Sequence, residues 1–198
     1  MPYLKKDNPV PEPLDCRILT AALDLFVDSG YHKVSIHQIQ SQADVSIGSI
    51  YNHFGGKEGV AKALYNHINN EIEELIEGVV NVWDSPMEQC KEIIRQLFEH
   101  TETHKNIISF VFHAKHTEFL SSESLGYSSS PLLSMQNIVI KGIEKQEFID
   151  IDPWVVTSTI FGGAIRMIQL RLDGVVDKPL PEYYESVTQA ALKGVVAD

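Results

Sequence analysis

Cysteine is scarce in this 198-residue chain. Only Cys16 and Cys90 occur, and they are far apart and show no Cys-x-x-Cys spacing. This pattern excludes a small fold that is held together by disulfides. The composition predicts instead that both thiols are buried and remain reduced.

Long apolar runs are also missing. The first thirteen residues, MPYLKKDNPVPEP, contain no apolar core of the kind found in a signal peptide. The longest apolar-rich stretch, Trp154 to Leu172, is interrupted by Arg166, Gln169 and Arg171. Such a stretch does not favour a membrane span. We therefore expect a cytoplasmic protein without a membrane partner.

Positive charge is limited, since the formal net charge is -11. That value argues against a histone-like protein that binds phosphates by bulk positive potential. The charge is uneven, however, because residues 1–66 hold six Lys/Arg against seven Asp/Glu. Residues 67–198 hold ten against twenty. The acidity thus belongs to the last two thirds, and the first third remains compatible with nucleic acid.

Alternation of apolar and polar residues, the pattern of a half-buried strand, is almost absent, whereas helical spacing recurs along the whole chain. The fold class we predict is all-α, with an extended proline-rich arm at residues 1–13 and a Ser- and Gly-rich loop from Ser121 to Ser130. The predicted helices are Leu14–Ser29, Ser35–Ala43, Ser46–Phe54, Lys57–Val82, Met87–His104, Asn106–Leu120, Pro131–Phe148, Pro153–Leu172 and Leu180–Ala197. Ser35 with Gln38 has the spacing of a capping box, and Ser46 and Asp152 are predicted N-caps.

Two short helices joined by a tight turn and followed by a long helix are typical of a helix-turn-helix unit. The turn is Ala43-Asp44-Val45. Val45, Ile50 and Phe54 are predicted to pack inward, leaving small and hydrogen-bonding residues near the outer surface. Such a surface suits close approach to a DNA groove and to phosphates.

The stretch from Ile18 to Ile68 resembles the DNA-binding region of the TetR/AcrR family of bacterial transcriptional regulators. The resemblance rests on an Ala-x-x-Leu-Phe helix ending in Gly-Tyr, on the block Val-Ser-x-Gly-Ser-Ile-Tyr-x-His-Phe, and on Lys57-Glu58. It covers about a quarter of the chain. It implies a three-helix DNA-binding domain at residues 14–56 and a helical ligand-binding and dimerisation domain at residues 57–198.

The resemblance also implies roles for individual residues. Positions 47, 48 and 51 would approach base edges. Positions 35, 49, 51, 53 and 57 would contact phosphates, so position 51 could do both. The DNA-binding residues so predicted are Ser35, Ser46, Ile47, Gly48, Ser49, Tyr51, Asn52, His53 and Lys57.

Three residues depart from the family pattern. Ile47 stands where relatives often carry Lys, Arg or Gln, and it offers a thymine methyl an apolar contact instead of a hydrogen bond. Asp44 replaces a common turn glycine and is expected to tolerate left-handed backbone. Gly56 replaces a capping Ser, which we expect to be tolerated. Lys5 and Lys6 on the arm either supply extra DNA contacts or form an idle tail.

For the second domain the resemblance implies a ligand pocket and a homodimer interface made by the last two helices. Gly162, Gly163 and Ala164 would permit close helix contact there. Arg166 could pair with an anionic ligand, an internal carboxylate or the partner subunit. For any single pocket candidate we favour plain core or surface over a ligand contact. The candidates are Phe98, His104, Phe110, His113, Phe119, Met135, Trp154, Phe161 and Arg166.

Histidines cluster at His100, His104, His113 and His116. Their helical spacing permits a transition-metal site, but unmetallated surface histidines are equally compatible with it, and we predict no metal and no cofactor.

The function predicted is a ligand-responsive, homodimeric transcriptional regulator. It would be a repressor that binds a palindromic double-stranded DNA operator and is released by a small-molecule effector. One alternative is a small-molecule or metal sensor without operator recognition. An enzyme using Ser128–Ser130 and His113 is not supported, because the chain carries no nucleophile elbow or glycine-rich phosphate loop.

Overall fold

The computed structural model describes residues 13–120 and 131–197, and every regular element in that part of the chain is helical, as predicted. The α-helices are α1 Leu14–Ser29, α2 Ile36–Ala43, α3 Ile47–Phe54, α4 Lys57–Val82, α5 Pro86–Thr103, α6 Lys105–His113, α7 Pro131–Glu144, α8 Pro153–Leu172 and α9 Tyr184–Leu192. The predicted arm, apart from Pro13, and the predicted loop lie outside the described residues.

The chain divides into two compact units. The first unit comprises Met1–Glu71 and Asn106–Gly126, and the second comprises Ile72–Lys105 and Tyr127–Asp198. Because α4 and α6 contribute residues to both units, the functional boundary expected between residues 56 and 57 stays a prediction. Within the described residues, no helix is both long enough and apolar enough to cross a membrane.

Local sequence signals set several helix ends. Ser35 and Gln38 form the predicted capping box, and the side chain of Ser46 caps α3 by accepting from the Ser49 N–H. Asp152 caps α8 through the N–H of Trp154. These oxygens bind N–H groups that have no partner within the first turn of a helix.

The helix predicted for Asn106–Leu120 is shorter, because α6 ends at His113. Beyond it the chain turns, and the imidazole Nε2 of His116 lies 3.0 Å from the carbonyl oxygen of Phe110. Burial lowers the pKa of His116, and its hydrogen bond to that carbonyl opposes the shift. The His116 side chain thus contacts a carbonyl near the end of the helix. Apolar periodicity does not reveal a contact of this kind.

The helices predicted for Pro131–Phe148 and Leu180–Ala197 are also too long. The first ends at Glu144, and Gln146 then adopts a positive φ of 59°. The turn places the ring of Phe148 against Gly142, where a Cβ atom would overlap it. Residues 180–183 form a 3₁₀ turn before α9, and Val196 pairs with Phe148 in an isolated antiparallel bridge.

Each unit has its own apolar core. In the first unit Ile18, Ile39, Ile50 and Leu64 are fully buried, which fixes the helix-turn-helix region on the start of α4. In the second unit the fully buried aromatic side chains are Phe98, Phe148 and Phe161. Both cysteines are buried, as predicted. Burial, followed by the charge of Glu147, raises the pKa of the Cys90 thiol.

Candidate nucleic-acid interface

The turn between α2 and α3 is held in a left-handed conformation. Asp44 has φ 50° and ψ 56°, so it takes the backbone shape for which the family often uses glycine. The guanidinium of Arg17 donates to the carbonyl oxygens of Ala43 and Asp44, both at 2.6 Å. It also lies 3.4 Å from the Asp44 carboxylate. Arg17, which the sequence analysis did not single out, therefore ties α1 to the turn.

The outer surface of α3 has the composition that the sequence analysis predicted. Ile50 is fully buried, whereas Val45 and Phe54 are half-buried. Tyr51 is 53% exposed, the largest aromatic surface on this helix. Ile47 and Ser49 are half-buried, and the remaining predicted DNA-binding residues of this segment are exposed: Ser46, Gly48, Asn52 and His53.

Two of the predicted phosphate-binding hydroxyls already take part in helix caps. Ser35 Oγ donates to Gln38 Oε1 at 2.9 Å and accepts from the Gln38 N–H at 3.3 Å. The Ser46 and Ser49 hydroxyl oxygens are 2.8 Å apart. Their positions are therefore fixed before any DNA binds, which lowers the conformational entropy lost on binding.

Lys57, the first residue of α4, is oriented by the first unit itself. Its ammonium donates to the carbonyl oxygens of Tyr31 and Val34, at 3.0 and 2.9 Å. The same nitrogen lies 4.1 Å from the centroid of the Tyr31 ring. An ammonium has three N–H donors, so one donor remains for a phosphate oxygen.

The junction between α3 and α4 requires small residues. Gly56 has a φ of 129°, which a residue with a side chain rarely adopts. Gly56, which stands where the family often has a capping Ser, therefore suits the backbone conformation at this position. A Cβ at Gly59 would overlap the carbonyl oxygen of Phe54, so the end of α3 lies directly against the first turn of α4.

The predicted ligand-binding residues are divided between the two units. Phe110, His113 and Phe119 line a cavity of about 430 Å³ within the first unit. In the second unit Phe98, Met135 and Phe161 are core residues, whereas Trp154 and Arg166 are exposed. His104 packs against His100, with their Nδ1 atoms 3.2 Å apart.

This cavity also contains residues that the sequence analysis did not select, namely Phe26, Tyr31 and Glu118. Sequence patterns gave no signal for them, since α1 and the segment after α6 are remote in the chain. For the described residues, no three His, Cys, Asp or Glu side chains lie close enough together to hold a metal ion. Burial lowers the pKa of His100, and the neighbouring His104 lowers it further.

Comparison with known proteins connects this geometry to a family. The model of the bacterial regulatory proteins of the tetR family matches residues 18–64. An uncharacterized HTH-type transcriptional regulator of Bacillus subtilis strain 168, YvkB, is 29% identical over 94% of this chain and 99% of its own length.

Two solved structures share the fold. A TetR family transcription regulator from Marinobacter aquaeolei VT8 superposes with a TM-score of 0.80 at 16% identity, over 93% of this chain and 96% of its own. The FadR regulator of Bacillus subtilis, solved with stearoyl-CoA, gives a TM-score of 0.74 at 20% identity, over 90% and 97%. Residues 18–64 therefore match the tetR family of bacterial regulatory proteins, and the chain has the fold of solved TetR family regulators.

Proposed function

We propose that this protein is a cytoplasmic, homodimeric repressor that binds a palindromic operator and is released by a small-molecule effector. The observation that carries the proposal is the outer surface of α3. It combines exposed Tyr51, Asn52 and His53 with the small residue Gly48. A Cβ atom added at Gly48 would lie 3.8 Å from Ser46 Oγ, an ordinary van der Waals contact. A helix with small residues at its start can approach base edges in the major groove.

Base selection would depend on apolar contact and on Tyr51. The half-buried Ile47 provides a methyl-bearing surface and no hydrogen bond, so we expect it to favour a thymine methyl over guanine. Tyr51 can contact a base edge through its ring and a phosphate through its hydroxyl. The phosphate contacts would come from Ser35, Ser49, His53 and Lys57, which flank this surface.

The proposed dimer would form through α8 and α9. Exposed positions of α8 carry Trp154 and Val155 and then Gly162 and Gly163. Apart from the helix's own backbone, no atom of the described residues lies within 4 Å of a Cβ built at either glycine. Large apolar side chains next to small residues permit two helices to approach closely. Two DNA-binding regions related by a twofold axis would bind the two halves of a palindrome.

Effector response would couple DNA affinity to ligand affinity. The two binding equilibria must influence each other by the same factor, typically worth about 1–3 kcal/mol. The FadR structure contains stearoyl-CoA; for the present chain we propose here only that the effector is a small molecule.

The test is selection from a random duplex-DNA library at two salt concentrations, with wild type, Tyr51→Ala and Asn81→Ala. Asn81 is exposed near the end of α4, away from the proposed DNA contacts in the sequence, and serves as the matched control. We expect wild type and Asn81→Ala to enrich one inverted repeat that Tyr51→Ala does not enrich. Binding that falls with salt but enriches no sequence would instead support a sensor without operator recognition.

A further inference from the structure

An aromatic cavity lies within the first unit, beside the helix-turn-helix region. Its volume is about 430 Å³, which falls in the size range of small-molecule sites. Four aromatic rings line it, those of Phe26, Tyr31, Phe110 and Phe119. The centroids of the Tyr31 and Phe119 rings are 5.2 Å apart, and those of Phe26 and Tyr31 are 5.5 Å apart.

One carboxylate belongs to the same wall. The side chain of Glu118 is only 23% exposed, and its oxygen lies 3.6 Å from the Nε2 of His32, whose side chain is 71% exposed. An exposed imidazole gives a half-buried carboxylate little compensation for its lost hydration. Burial, together with the charges of Glu58 and Glu118, raises the pKa of the Tyr31 hydroxyl, whereas Lys62 opposes the shift.

Two lining residues, His113 and Lys115, can carry a positive charge. Both are exposed, so these groups are hydrated. Aromatic faces attract cations, and a carboxylate with restricted access to water strengthens that preference. The net charge of -11 adds a long-range attraction for cations and a repulsion for anions.

We propose that the aromatic cavity binds a lipophilic organic cation, such as an aryl ammonium compound, with its positive group near Glu118 and its apolar part among the four rings. This proposal rests on the proposed function in one respect, since it also identifies the cation as the effector. The effector would act through Tyr31, which is shared by the cavity and by Lys57.

The physical basis of the coupling is competition for one ring. The Lys57 ammonium already lies over Tyr31 and donates to the Tyr31 and Val34 carbonyl oxygens. A second cation beside that ring repels the ammonium and displaces the ring from its present position. Because these hydrogen bonds join the start of α4 to the turn before α2, their loss changes how α2 and α3 are held.

Binding is tested by titration calorimetry of the full chain with benzyltrimethylammonium, and with phenylacetate as an anion of similar size. We expect the cation to bind Lys115→Gln at least as tightly as wild type, because a positive charge is removed from the lining, and to bind Glu118→Gln roughly tenfold more weakly, the equivalent of about 1.4 kcal/mol. Binding of phenylacetate that weakens in Lys115→Gln would overturn the choice of a cation. Cation binding that is absent or insensitive to Glu118→Gln would overturn the site.

Coupling is tested with the operator recovered from the DNA selection. Benzyltrimethylammonium should lower operator affinity at least fivefold for wild type and Lys115→Gln, but not for Glu118→Gln at the same concentration. Unchanged operator affinity with the cation bound would overturn the coupling. If no operator is recovered, the proposed function fails, whereas the calorimetric result still decides whether the aromatic cavity is a cation site.

Discussion

The ammonium of Lys57 lies 4.1 Å from the centroid of the Tyr31 ring and 3.0 Å from the carbonyl oxygen of the same residue. One side chain at the start of α4 thus contacts both the ring and the backbone of the turn that follows α1. The relationship gives Lys57 a structural role in addition to the phosphate contact predicted from the sequence. The two roles can be separated, because the structural one is measurable without DNA.

Replacing Lys57 by Met should lower the free energy of unfolding by about 2 kcal/mol, since hydrogen bonds from a charged group to half-buried carbonyls are lost. Urea unfolding of the variant measures this change. Lys62→Met is the matched control, because the Lys62 ammonium pairs with Glu58, at 2.6 Å on the surface of the same helix. We expect the control to change stability by less than about 0.5 kcal/mol. Equal losses for the two variants would contradict a structural role for Lys57.

Replacing Ser35 by Ala should destabilise the first unit by about 1 kcal/mol, because both halves of the capping box of α2 are lost. The control is Ser41→Ala, an exposed position within the same helix, where alanine has the higher helix propensity. Thermal unfolding followed by circular dichroism compares the two variants. A Ser41→Ala protein no more stable than Ser35→Ala would be inconsistent with this cap.

Local signals made much of this fold predictable from the sequence. The bounds of α1, α4 and α8 agree with the prediction, since Gly30, the Gly55-Gly56 pair and Asp152 mark their ends within a few residues. The exposed surface of α3 was predictable for the same reason: its apolar residues have helical spacing and the rest must face outward. In both cases the residues that determine the structure are close together in the sequence, within about one helical turn of the feature they determine.

The differences arise where remote residues meet. The end of α6 depends on the packing of His116 on the Phe110 carbonyl, and the end of α7 depends on the fit of Phe148 against Gly142. The contact of Arg17 with the turn spans more than twenty residues. Such contacts depend on tertiary packing, which overrides helix propensity and is invisible to a local pattern.

Gly48 and Gly59 provide a test that separates DNA contact from folding. A Cβ at Gly48 meets only Ser46 Oγ, at 3.8 Å, whereas a Cβ at Gly59 overlaps the carbonyl oxygen of Phe54. Gly48→Ala should therefore fold with unchanged or slightly higher stability and lose operator affinity, because the added methyl group blocks close approach to the groove. Gly59→Ala should lose stability by several kcal/mol. Unfolding curves and operator titrations of both variants check this; undiminished operator binding by Gly48→Ala would exclude close approach at this position.

Acid stability should depend on Glu102 in the second unit. Its carboxylate accepts two hydrogen bonds from Arg171, at 2.9 and 2.8 Å, and one from the Leu180 N–H. The bonds from Arg171 are the largest cause that lowers the pKa of Glu102 below its ordinary value of 4.5, whereas burial opposes them. When the pKa of a carboxyl group is lower in the folded protein than in the unfolded one, ionisation stabilises the fold at every pH above the unfolded pKa. This stabilisation is lost as the pH falls through the folded pKa.

Glu102→Gln should therefore be less stable than wild type at pH 7, and the difference should shrink as the pH falls below about 4.5. Urea unfolding at a series of pH values measures it. Glu182→Gln, at an exposed position of the 3₁₀ turn, serves as the control and should show no such dependence. A difference between Glu102→Gln and wild type that stays constant down to pH 3 would show that the ionised carboxylate is not the stabilising form.

The proposed dimer interface predicts different effects for two glycines with similar surroundings. Gly162 on α8 and Gly78 on α4 are both exposed and both lie within a helix. In the described part of the chain, neither Cβ position has an atom within 4 Å other than the helix's own backbone. Glutamine should therefore fit the isolated subunit at either position and raise helix propensity. Only Gly162→Gln inserts a bulky amide where α8 would approach its partner, and overpacking of a close helix contact costs about 1–3 kcal/mol. Sedimentation velocity should show the dimer dissociation constant of Gly162→Gln raised roughly tenfold, with Gly78→Gln unchanged. A Gly162→Gln protein that dimerises like wild type would place the interface elsewhere on the subunit.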